Sequence, residues 1–285
     1  MEINGKTQLI VLIGNPVEHS LSPKMQNAAF RKLGLNYVYI AVRVDNNKVK
    51  EAVEGIRAFN IKGANVTVPH KINVMPFLDE IDPVAENIGA INTILNKDGH
   101  LYGTNTDGIG AVRSFEEEGV EVEDKKIVMI GAGGVARPLI YNFAPKTKDF
   151  VLFDIAEGIV QTLAQELNRK IKVNIRGFKS DPAKIAKELQ DADIFINATP
   201  VGMHPKESMS IIDKHLLRKD LTVFDVVYNP LETKLIKDSK SVGAKAIPGL
   251  MMLVYQGVAA FELWTGQKAP VLLMKQMVLE GLGLR

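Results

Sequence analysis

The sequence predicts an α/β protein with two domains, in which a mixed or parallel sheet precedes a doubly wound sheet. Short β-branched runs alternate with helical stretches from residue 8 onward, a pattern typical of strand–helix–strand units. The chain has 285 residues, which is enough for about two domains at roughly 150 residues each. A strand that runs into a glycine-rich turn lies near the middle of the chain, at 126–136, and marks the start of the second alternating series.

The first series of elements indicates a sheet covered by helices on both faces. Leu9–Ile13 is a continuous apolar run, as expected of a strand buried on both sides. The predicted elements are a strand at Gln8–Ile13, a helix at Pro23–Leu33, a strand at Tyr37–Val44, a helix at Lys48–Phe59, a strand at Ala64–Val68, a hairpin at Ala90–Leu95 and His100–Gly103, and a helix at Gly108–Glu118.

The second series predicts six strands, the number in a doubly wound dinucleotide-binding domain. The charged stretch Glu116–Lys126 is predicted to link the two domains. After the sixth strand, residues 249–285 show two helices and no strand, so we expect them to pack on the first domain. The predicted domains are therefore 1–110 plus 249–285, and 111–248. The predicted strands are 126–130, 149–154, 171–176, 193–197, 222–226 and 244–247.

The composition excludes several classes of function. The 35 Lys+Arg and 33 Asp+Glu residues leave a formal charge of +2, so no broad positive field favours nucleic acid or a membrane. The absence of cysteine excludes disulfides, thiolate catalysis and cysteine-ligated zinc, and no metal is predicted. The longest N-terminal apolar run, Leu9–Ile13, is too short for a signal segment or membrane span. We expect a cytoplasmic protein with a small-molecule substrate; a homodimer is compatible with the sequence.

The strand Lys126–Ile130 leads into Gly-Ala-Gly-Gly-Val-Ala at 131–136, which fits the G-x-G-x-x-A pattern of the Rossmann fold. In that pattern the first glycine forms the tight turn, the second lets the backbone approach a pyrophosphate, and the alanine keeps the helix close to the strand. The helix N-terminus then faces the anion. Because strand, motif, helix and second strand occur in order, the segment predicts a dinucleotide site rather than a structural glycine turn.

Asp154 ends the next predicted strand, 23 positions after Gly131. This is close to the spacing of a carboxylate that binds the ribose 2′-hydroxyl, and a carboxylate there repels a 2′-phosphate. The sequence therefore favours NAD, while Arg176 and Lys179 after the following strand leave NADP open. The structural alternative is that Asp154 caps the next helix.

Polar residues of the first domain are concentrated in short segments at the ends of its strands, where ligands of open α/β sheets bind. Taken singly, each has a structural alternative: Ser22 before Pro23 could cap a helix, Asp107 could cap another, and Asn92 could belong to a turn. Taken together, hydroxyls, amides, one ammonium and one carboxylate are better explained by a common site. The segments are Ser20–Pro23, Asn65–Lys71, Gly89–Thr93 and Asn105–Gly108.

With these segments, the whole chain resembles the shikimate dehydrogenase family, including its quinate/shikimate branch. The resemblance extends over nearly the full length and also includes Gly131–Gly134, Asn197–Met203, Val227–Pro230 and Gly249 to Gln256. It implies reversible NAD(P)-dependent reduction of 3-dehydroshikimate to shikimate, in the chorismate pathway of aromatic amino-acid biosynthesis. The alternatives are an NAD-dependent enzyme acting mainly on quinate and, more distantly, a non-catalytic dinucleotide-sensing module.

The resemblance also implies roles for individual residues. Lys71 and Asp107 would be the catalytic pair. The implied substrate-binding residues are Ser20, Ser22, Asn65, Thr67, Asn92, Tyr228 and Gln256, with Asp107 also on a ring hydroxyl. The implied cofactor-binding residues are Gly131, Ala132, Gly133, Gly134, Val135, Ala136, Asp154, Thr199, Pro200, Val201, Gly202, Met203 and Gly249. At 154–156 the chain has Asp-Ile-Ala, whereas NADP-specific members resemble Asn-Arg-Thr there, which also favours NAD.

Reduction of a ring ketone needs a proton for the developing alkoxide, and a bound cofactor supplies the hydride. His19 and His70 are the histidines near these motifs, but we assign the proton to Lys71, which we expect in the first turn of a helix after Pro69. Asp107 would orient the lysine. Tyr39 is expected to be a half-buried strand tyrosine or a further ligand.

Overall fold

The computed structural model describes residues 2–284. The chain divides into two compact units, one formed by Met1–Gly110 with Val254–Arg285 and the other by Ala111–Leu253. Each unit contains a six-stranded sheet, and the predicted α/β class is confirmed. The predicted domain boundaries, 1–110 plus 249–285 and 111–248, remain a prediction.

The described elements follow the chain in the order below. The strands are β1 Gln8–Gly14, β2 Tyr37–Arg43, β3 Gly63–Val66, β4 Glu80–Ile81, β5 Thr93–Lys97, β6 His100–Thr104, β7 Lys126–Ile130, β8 Asp149–Asp154, β9 Ile175–Lys179, β10 Ile194–Asn197, β11 Thr222–Asp225 and β12 Lys245–Pro248. The α-helices are α1 Ser22–Lys32, α2 Val49–Ala58, α3 Pro83–Ile88, α4 Asp107–Glu117, α5 Ala136–Phe143, α6 Glu157–Ile171, α7 Pro182–Leu189, α8 Lys234–Ser241, α9 Leu250–Thr265 and α10 Val271–Gly281.

The sheet of the first unit is mixed, with strand order β2-β1-β3-β5-β6-β4. β1 pairs in parallel with β2 and β3, whereas β3, β5 and β6 pair antiparallel. Residues 10–13 of β1 are all buried, as its apolar run predicts. Asp98 and Gly99 join β5 to β6 with φ of 53° and 89°, the backbone of a tight hairpin turn that this residue pair favours.

The sheet of the second unit has the order β12-β11-β10-β7-β8-β9. All five of its strand pairs are parallel. The sheet therefore extends outward from β7 in both directions, which is the strand order of the doubly wound fold. Its core includes Phe115, Phe143, Phe150 and Phe224. The carboxyl ends of β7 and β10 meet at the point where the strand order reverses, the usual ligand position in such sheets.

Two local predictions are wrong. The predicted strand at 171–176 begins later, at Ile175, because α6 continues through Ile171 and ends at Lys172 with a positive φ of 54°. The Asn168 side chain bonds both the N–H and the carbonyl of Ile175, which starts the strand there. Lys71 lies in a turn rather than in the first turn of an α-helix.

In the described part of the chain, no helix combines the length and apolar character needed to cross a bilayer.

Gly63 in β3 lies against Trp264 of α9, and a Cβ atom on residue 63 would overlap the indole nitrogen and the Ile94 carbonyl oxygen. These two atoms share a 3.0 Å hydrogen bond. We expect Gly63→Ala to lower the free energy of unfolding by about 1–3 kcal/mol, measured by urea denaturation followed through fluorescence of the single tryptophan. Gly5→Ala is the control, since no atom lies within 4 Å of a Cβ there. Equal effects of the two substitutions would contradict the packing described for Gly63.

Candidate active site

Lys71 and Asp107 meet in the first unit, although they are 36 positions apart in the chain. Lys71 Nζ donates to Asp107 Oδ2 at 2.6 Å, and the two side chains are only 15% and 9% exposed. Lys71 lies in the turn after β3, and Asp107 is the first residue of α4. A partly buried ion pair with one short hydrogen bond can hold and direct a proton.

Besides Lys71, two neighbouring polar residues, Asn92 and Asn105, fix Asp107. Asn92 Nδ2 donates to Asp107 Oδ1 at 2.8 Å and to Thr106 Oγ1 at 3.0 Å. The backbone N–H of Asp107 donates to Asn105 Oδ1, and Asn105 Nδ2 donates to the carbonyl of Ala90. Both carboxylate oxygens therefore have donors, so the carboxylate is held in one orientation.

A branch of the same hydrogen-bond network extends from Asn92 to β2. Thr93 Oγ1 donates to Asn92 Oδ1 at 2.9 Å and accepts from Asn65 Nδ2 at 3.0 Å. Asn65 Oδ1 accepts from the Tyr39 hydroxyl at 2.8 Å. Lys71, Asp107 and Asn92 are thereby connected to Asn65 and Tyr39 without a break.

Tyr39 is more buried than the sequence suggests, with 1% of its surface exposed. Burial raises the pKa of its phenol, so the group stays a neutral donor to Asn65. Tyr39 thus fixes the side chain of the predicted substrate residue Asn65 from its buried side.

Ser22 is not the helix cap that its position before Pro23 suggests. The helix begins at Ser22 itself, Leu21 occupies the N-cap position, and no side chain caps this end. The Ser22 backbone N–H donates to Ser20 Oγ at 3.3 Å. The Ser22 hydroxyl is therefore available for a role other than helix capping.

The remaining predicted residues of this unit lie on β3 and α9. Thr67 follows β3, and its backbone N–H donates to the Ile13 carbonyl. Gln256 lies in α9 beside Gly257, whose carbonyl accepts from the buried Gln26 of α1 at 2.9 Å.

His70 positions the lysine loop, a role that sequence analysis misses. Its ring is fully buried, and Nε2 lies 2.6 Å from the carbonyl oxygen of Val44. Because a carbonyl oxygen only accepts, Nε2 carries the proton. This bond fastens the turn before Lys71 to the end of β2, and the buried ring is not a competing proton donor to a ligand.

In the second unit, the glycine-rich turn at 131–136 fits a dinucleotide. Gly131 has φ of 111°, and a Cβ there would overlap the Ala198 backbone. Gly133 is exposed, with no atom within 4 Å of the Cβ position, which leaves room for a pyrophosphate beside the N-terminus of α5. Ala136 is fully buried at the start of that helix, as its predicted packing role requires.

Asp154 ends β8 beside this turn. Its Oδ2 accepts from the Ala132 N–H at 2.7 Å and its Oδ1 from the Ala156 N–H at 2.9 Å. Ala156 occupies the N-cap position of α6, so Asp154 is not the helix cap. The carboxylate is thus directed at the glycine-rich turn, where a ribose is bound in this fold.

The two basic residues considered for a phosphate differ in their surroundings. Arg176 forms paired hydrogen bonds with Asp149 and Glu188 at 2.6 to 3.1 Å. These acids hold its guanidinium at the start of β8, away from Asp154. Lys179 is exposed and is the register partner of Asp154 across β8 and β9.

The other predicted cofactor residues follow β10 and β12 of the same sheet, and the predicted substrate residue Tyr228 follows β11. Thr199, Pro200, Val201, Gly202 and Met203 form the loop after β10, and Tyr228 lies in the loop after β11. Burial raises the pKa of the Tyr228 phenol, which keeps it neutral. Gly249 follows β12, and a Cβ there would overlap the Val226 carbonyl. No group of three or more acidic or histidine side chains within residues 2–284 could hold a metal ion.

Family models match both ends of the chain. Residues 12–94 match the shikimate dehydrogenase substrate-binding domain, and residues 249–279 match the shikimate 5′-dehydrogenase C-terminal domain.

Individual proteins are similar over almost the whole chain. The shikimate dehydrogenase (NADP+) of Methanocaldococcus jannaschii is 46% identical over 98% of each chain. A Listeria monocytogenes shikimate 5-dehydrogenase solved with shikimate and NAD is 38% identical, with a TM-score of 0.90 over 98% of both chains. A Corynebacterium glutamicum quinate dehydrogenase solved with NAD is 31% identical, with a TM-score of 0.89 over 96% of this chain and 99% of that one.

Removal of the Tyr39 hydroxyl tests the buried part of the network. Tyr39→Phe leaves Asn65 Oδ1 without the donor shown above, so we expect it to lower the free energy of unfolding by about 1–3 kcal/mol. Tyr37→Phe, on the same strand but only partly buried, should change it by less than about 0.5 kcal/mol. Chemical denaturation measures both. A Tyr39→Phe protein as stable as Tyr37→Phe would contradict the network.

Proposed function

The chain belongs to the shikimate dehydrogenase family, and we propose that it catalyses the reversible NAD(P)-dependent interconversion of 3-dehydroshikimate and shikimate. The observation that carries this proposal is the 2.6 Å contact between Lys71 and Asp107 within a network of buried hydrogen-bonding groups. A site of this kind selects a polyhydroxylated ring, because a ligand without the hydroxyls leaves buried polar groups unpaired.

We propose the following roles for the residues of the first unit. Ser20 and Ser22 bind the substrate carboxylate through their hydroxyls. The side chains proposed to bind ring hydroxyls are Asn65, Thr67, Asn92, Asp107 and Gln256. The hydrogen bonds among Asn65, Asn92 and Asp107 support this proposal because they fix the three side chains relative to one another before a ligand arrives.

Lys71 moves the proton. In the direction of reduction, Nζ donates a proton to the ring oxygen; in the reverse direction it accepts the proton of the hydroxyl. Asp107 Oδ2 holds Nζ in place, and Asn92 in turn holds the other oxygen of Asp107. A nicotinamide dinucleotide, when bound, supplies or accepts the hydride.

The residues of the second unit fit a dinucleotide, and we propose that the 131–136 turn, Thr199–Met203 and Gly249 hold it. We further propose that NAD is preferred over NADP. The Asp154 carboxylate accepts hydrogen bonds from a ribose 2′-hydroxyl but repels a 2′-phosphate. Ile155 and Ala156 add no positive charge beside it.

The quinate and sensing alternatives receive less support. The curated relatives at 42–46% identity are named shikimate dehydrogenases, whereas the quinate dehydrogenase structure is 31% identical. A sensing module would need the glycine-rich turn but not a partly buried Lys71–Asp107 pair. Initial rates with shikimate and quinate, each with NAD+ and NADP+, test substrate and cofactor together.

Lys71→Ala removes the proposed proton carrier. We expect kcat for shikimate oxidation to fall by about 10²- to 10⁴-fold, while the Kd for NAD+ measured by calorimetry stays within about twofold. Lys97→Ala, at an exposed position of the same unit, is the matched control and should retain full activity. Wild-type turnover in Lys71→Ala would remove Lys71 from the mechanism.

Asp154→Ser tests the proposed cofactor preference. The substitution removes the repulsion of a 2′-phosphate, so the ratio of kcat/KM for NADP+ to that for NAD+ should rise about tenfold or more. Asp181→Ser is the control, because Asp181 caps α7 close by and serine also caps helices. If the two variants show the same ratio as the wild type, Asp154 does not discriminate between the cofactors.

A further inference from the structure

Asp225 is a fully buried acid that none of the proposed catalytic steps uses. It ends β11 and is the register partner of Asn197, which ends β10. Both residues lie at the carboxyl edge of the second sheet, and both have no exposed surface. A buried carboxylate costs stability unless donors compensate for lost water, so the donors around Asp225 indicate what the carboxylate does.

Three donors converge on this carboxylate. Asn197 Nδ2 donates to Oδ1 at 2.9 Å, and the backbone N–H of Val227 donates to the same oxygen at 3.1 Å. Thr233 Oγ1 donates to Oδ2 at 2.6 Å. The donors come from three separate segments, namely β10, the loop after β11, and the N-cap of α8.

Asn197 links the Asp225 carboxylate to the loop after β10. Its Oδ1 accepts from the backbone N–H of Thr199 at 3.0 Å and from the Thr199 hydroxyl at 2.6 Å. Its Nδ2 also donates to the Val201 carbonyl at 3.2 Å. Asp225 is therefore connected to the proposed cofactor loop through two successive hydrogen bonds, by way of Asn197. On the other side it accepts directly from the N–H of Val227, which precedes Tyr228.

We infer that ionised Asp225 is a positioning residue for the dinucleotide, holding the 198–203 and 226–230 loops in the geometry that binds it. The inference rests on the proposed function. An ionised carboxylate accepts from all three donors at once. A neutral amide or carboxylic acid would instead present a hydrogen to one of these donors. If that hydrogen faces Thr233, the hydroxyl loses its acceptor; if it faces Asn197 and Val227, their N–H groups lose theirs.

The charge on Asp225 has no cationic partner among its described contacts, which are all neutral groups. The charged residues on either side of Thr233, Glu232 and Lys234, pair with Lys240 and Asp238 respectively, and the titratable Tyr228 in the adjoining loop is kept neutral by burial. Burial raises the pKa of Asp225 to about 6. Since the ordinary value is 3.8, the folded protein binds more protons than the unfolded chain between about pH 4 and 6, and the ion costs stability above that window.

If Asp225 is a positioning residue, Asp225→Asn should therefore change NAD+ affinity and stability in opposite directions. If the carboxylate positions the loops, the full-length variant binds NAD+ about tenfold more weakly at pH 8, although its stability relative to the wild type improves as the pH rises through 4 to 6. Wild-type affinity for NAD+ also falls as the pH drops through about 6, and the affinity of the variant does not. Calorimetry measures the Kd for NAD+, and denaturation at each pH measures stability.

Asp193→Asn is the control. Asp193 directly precedes β10, so it lies at the amino ends of the strands, where it accepts from the Lys126 N–H. The NAD+ affinity of this variant should match that of the wild type. Thr233→Ser keeps the donor to Asp225 and should bind normally, whereas Thr233→Val should bind as weakly as Asp225→Asn. Unchanged NAD+ affinity in Asp225→Asn and Thr233→Val overturns the inference. Failure of the wild type to bind NAD+ or NADP+ would instead overturn the proposed function.

Discussion

The contact between Lys71 and Asp107 depends on two segments of the first unit, the turn after β3 and the start of α4, which the mixed sheet brings together. His70 binds the Lys71 turn to the end of β2, and Asn92, just before β5, holds Asp107. The turn has no regular structure and Asp107 is the first residue of its helix, so side-chain hydrogen bonds fix both positions. The cost of burying these polar groups is offset only when every donor and acceptor is paired, which explains why so many amides and hydroxyls occur together here.

The second unit uses two carboxylates at the same sheet edge in different ways. Asp154 is partly exposed and accepts from the backbone of the glycine-rich turn, so a ligand can reach it. Asp225 is fully buried and accepts from the framework of two loops. We propose that the first discriminates between ligands and that the second holds the loops against which a ligand binds. Both are the last residues of parallel strands, whose carboxyl ends leave backbone and side-chain groups unpaired by the sheet.

Local sequence patterns predict those parts of the fold that interactions between neighbouring residues determine. The apolar run of β1, the Asp98-Gly99 turn and the strand-to-glycine transition at Gly131 follow from burial, turn chemistry and backbone freedom. The start of β9 is predicted wrongly, because the apolar residues Ile171 and Val173 suit the end of a helix as well as a strand.

Motifs select the candidate residues of the site but not their contacts. Motif matching finds Lys71 and Asp107, but it does not find that Lys71 lies in a turn, or that Ser22 is the first residue of its helix rather than its cap. The roles of His70 and Asp225 are not predictable from local sequence either, because each arises from long-range packing that buries the side chain. Polar residues of this kind show their function only through the partners that the tertiary fold brings to them.

The coupling between Lys71 and Asp107 is the central claim, and a double-mutant cycle on kcat/KM for shikimate oxidation tests it most directly. If the two side chains act as one unit, Lys71→Met combined with Asp107→Asn reduces kcat/KM by little more than the worse single substitution, as is usual for residues that act together. If the two effects on the activation free energy simply add, the side chains act independently and the account is contradicted.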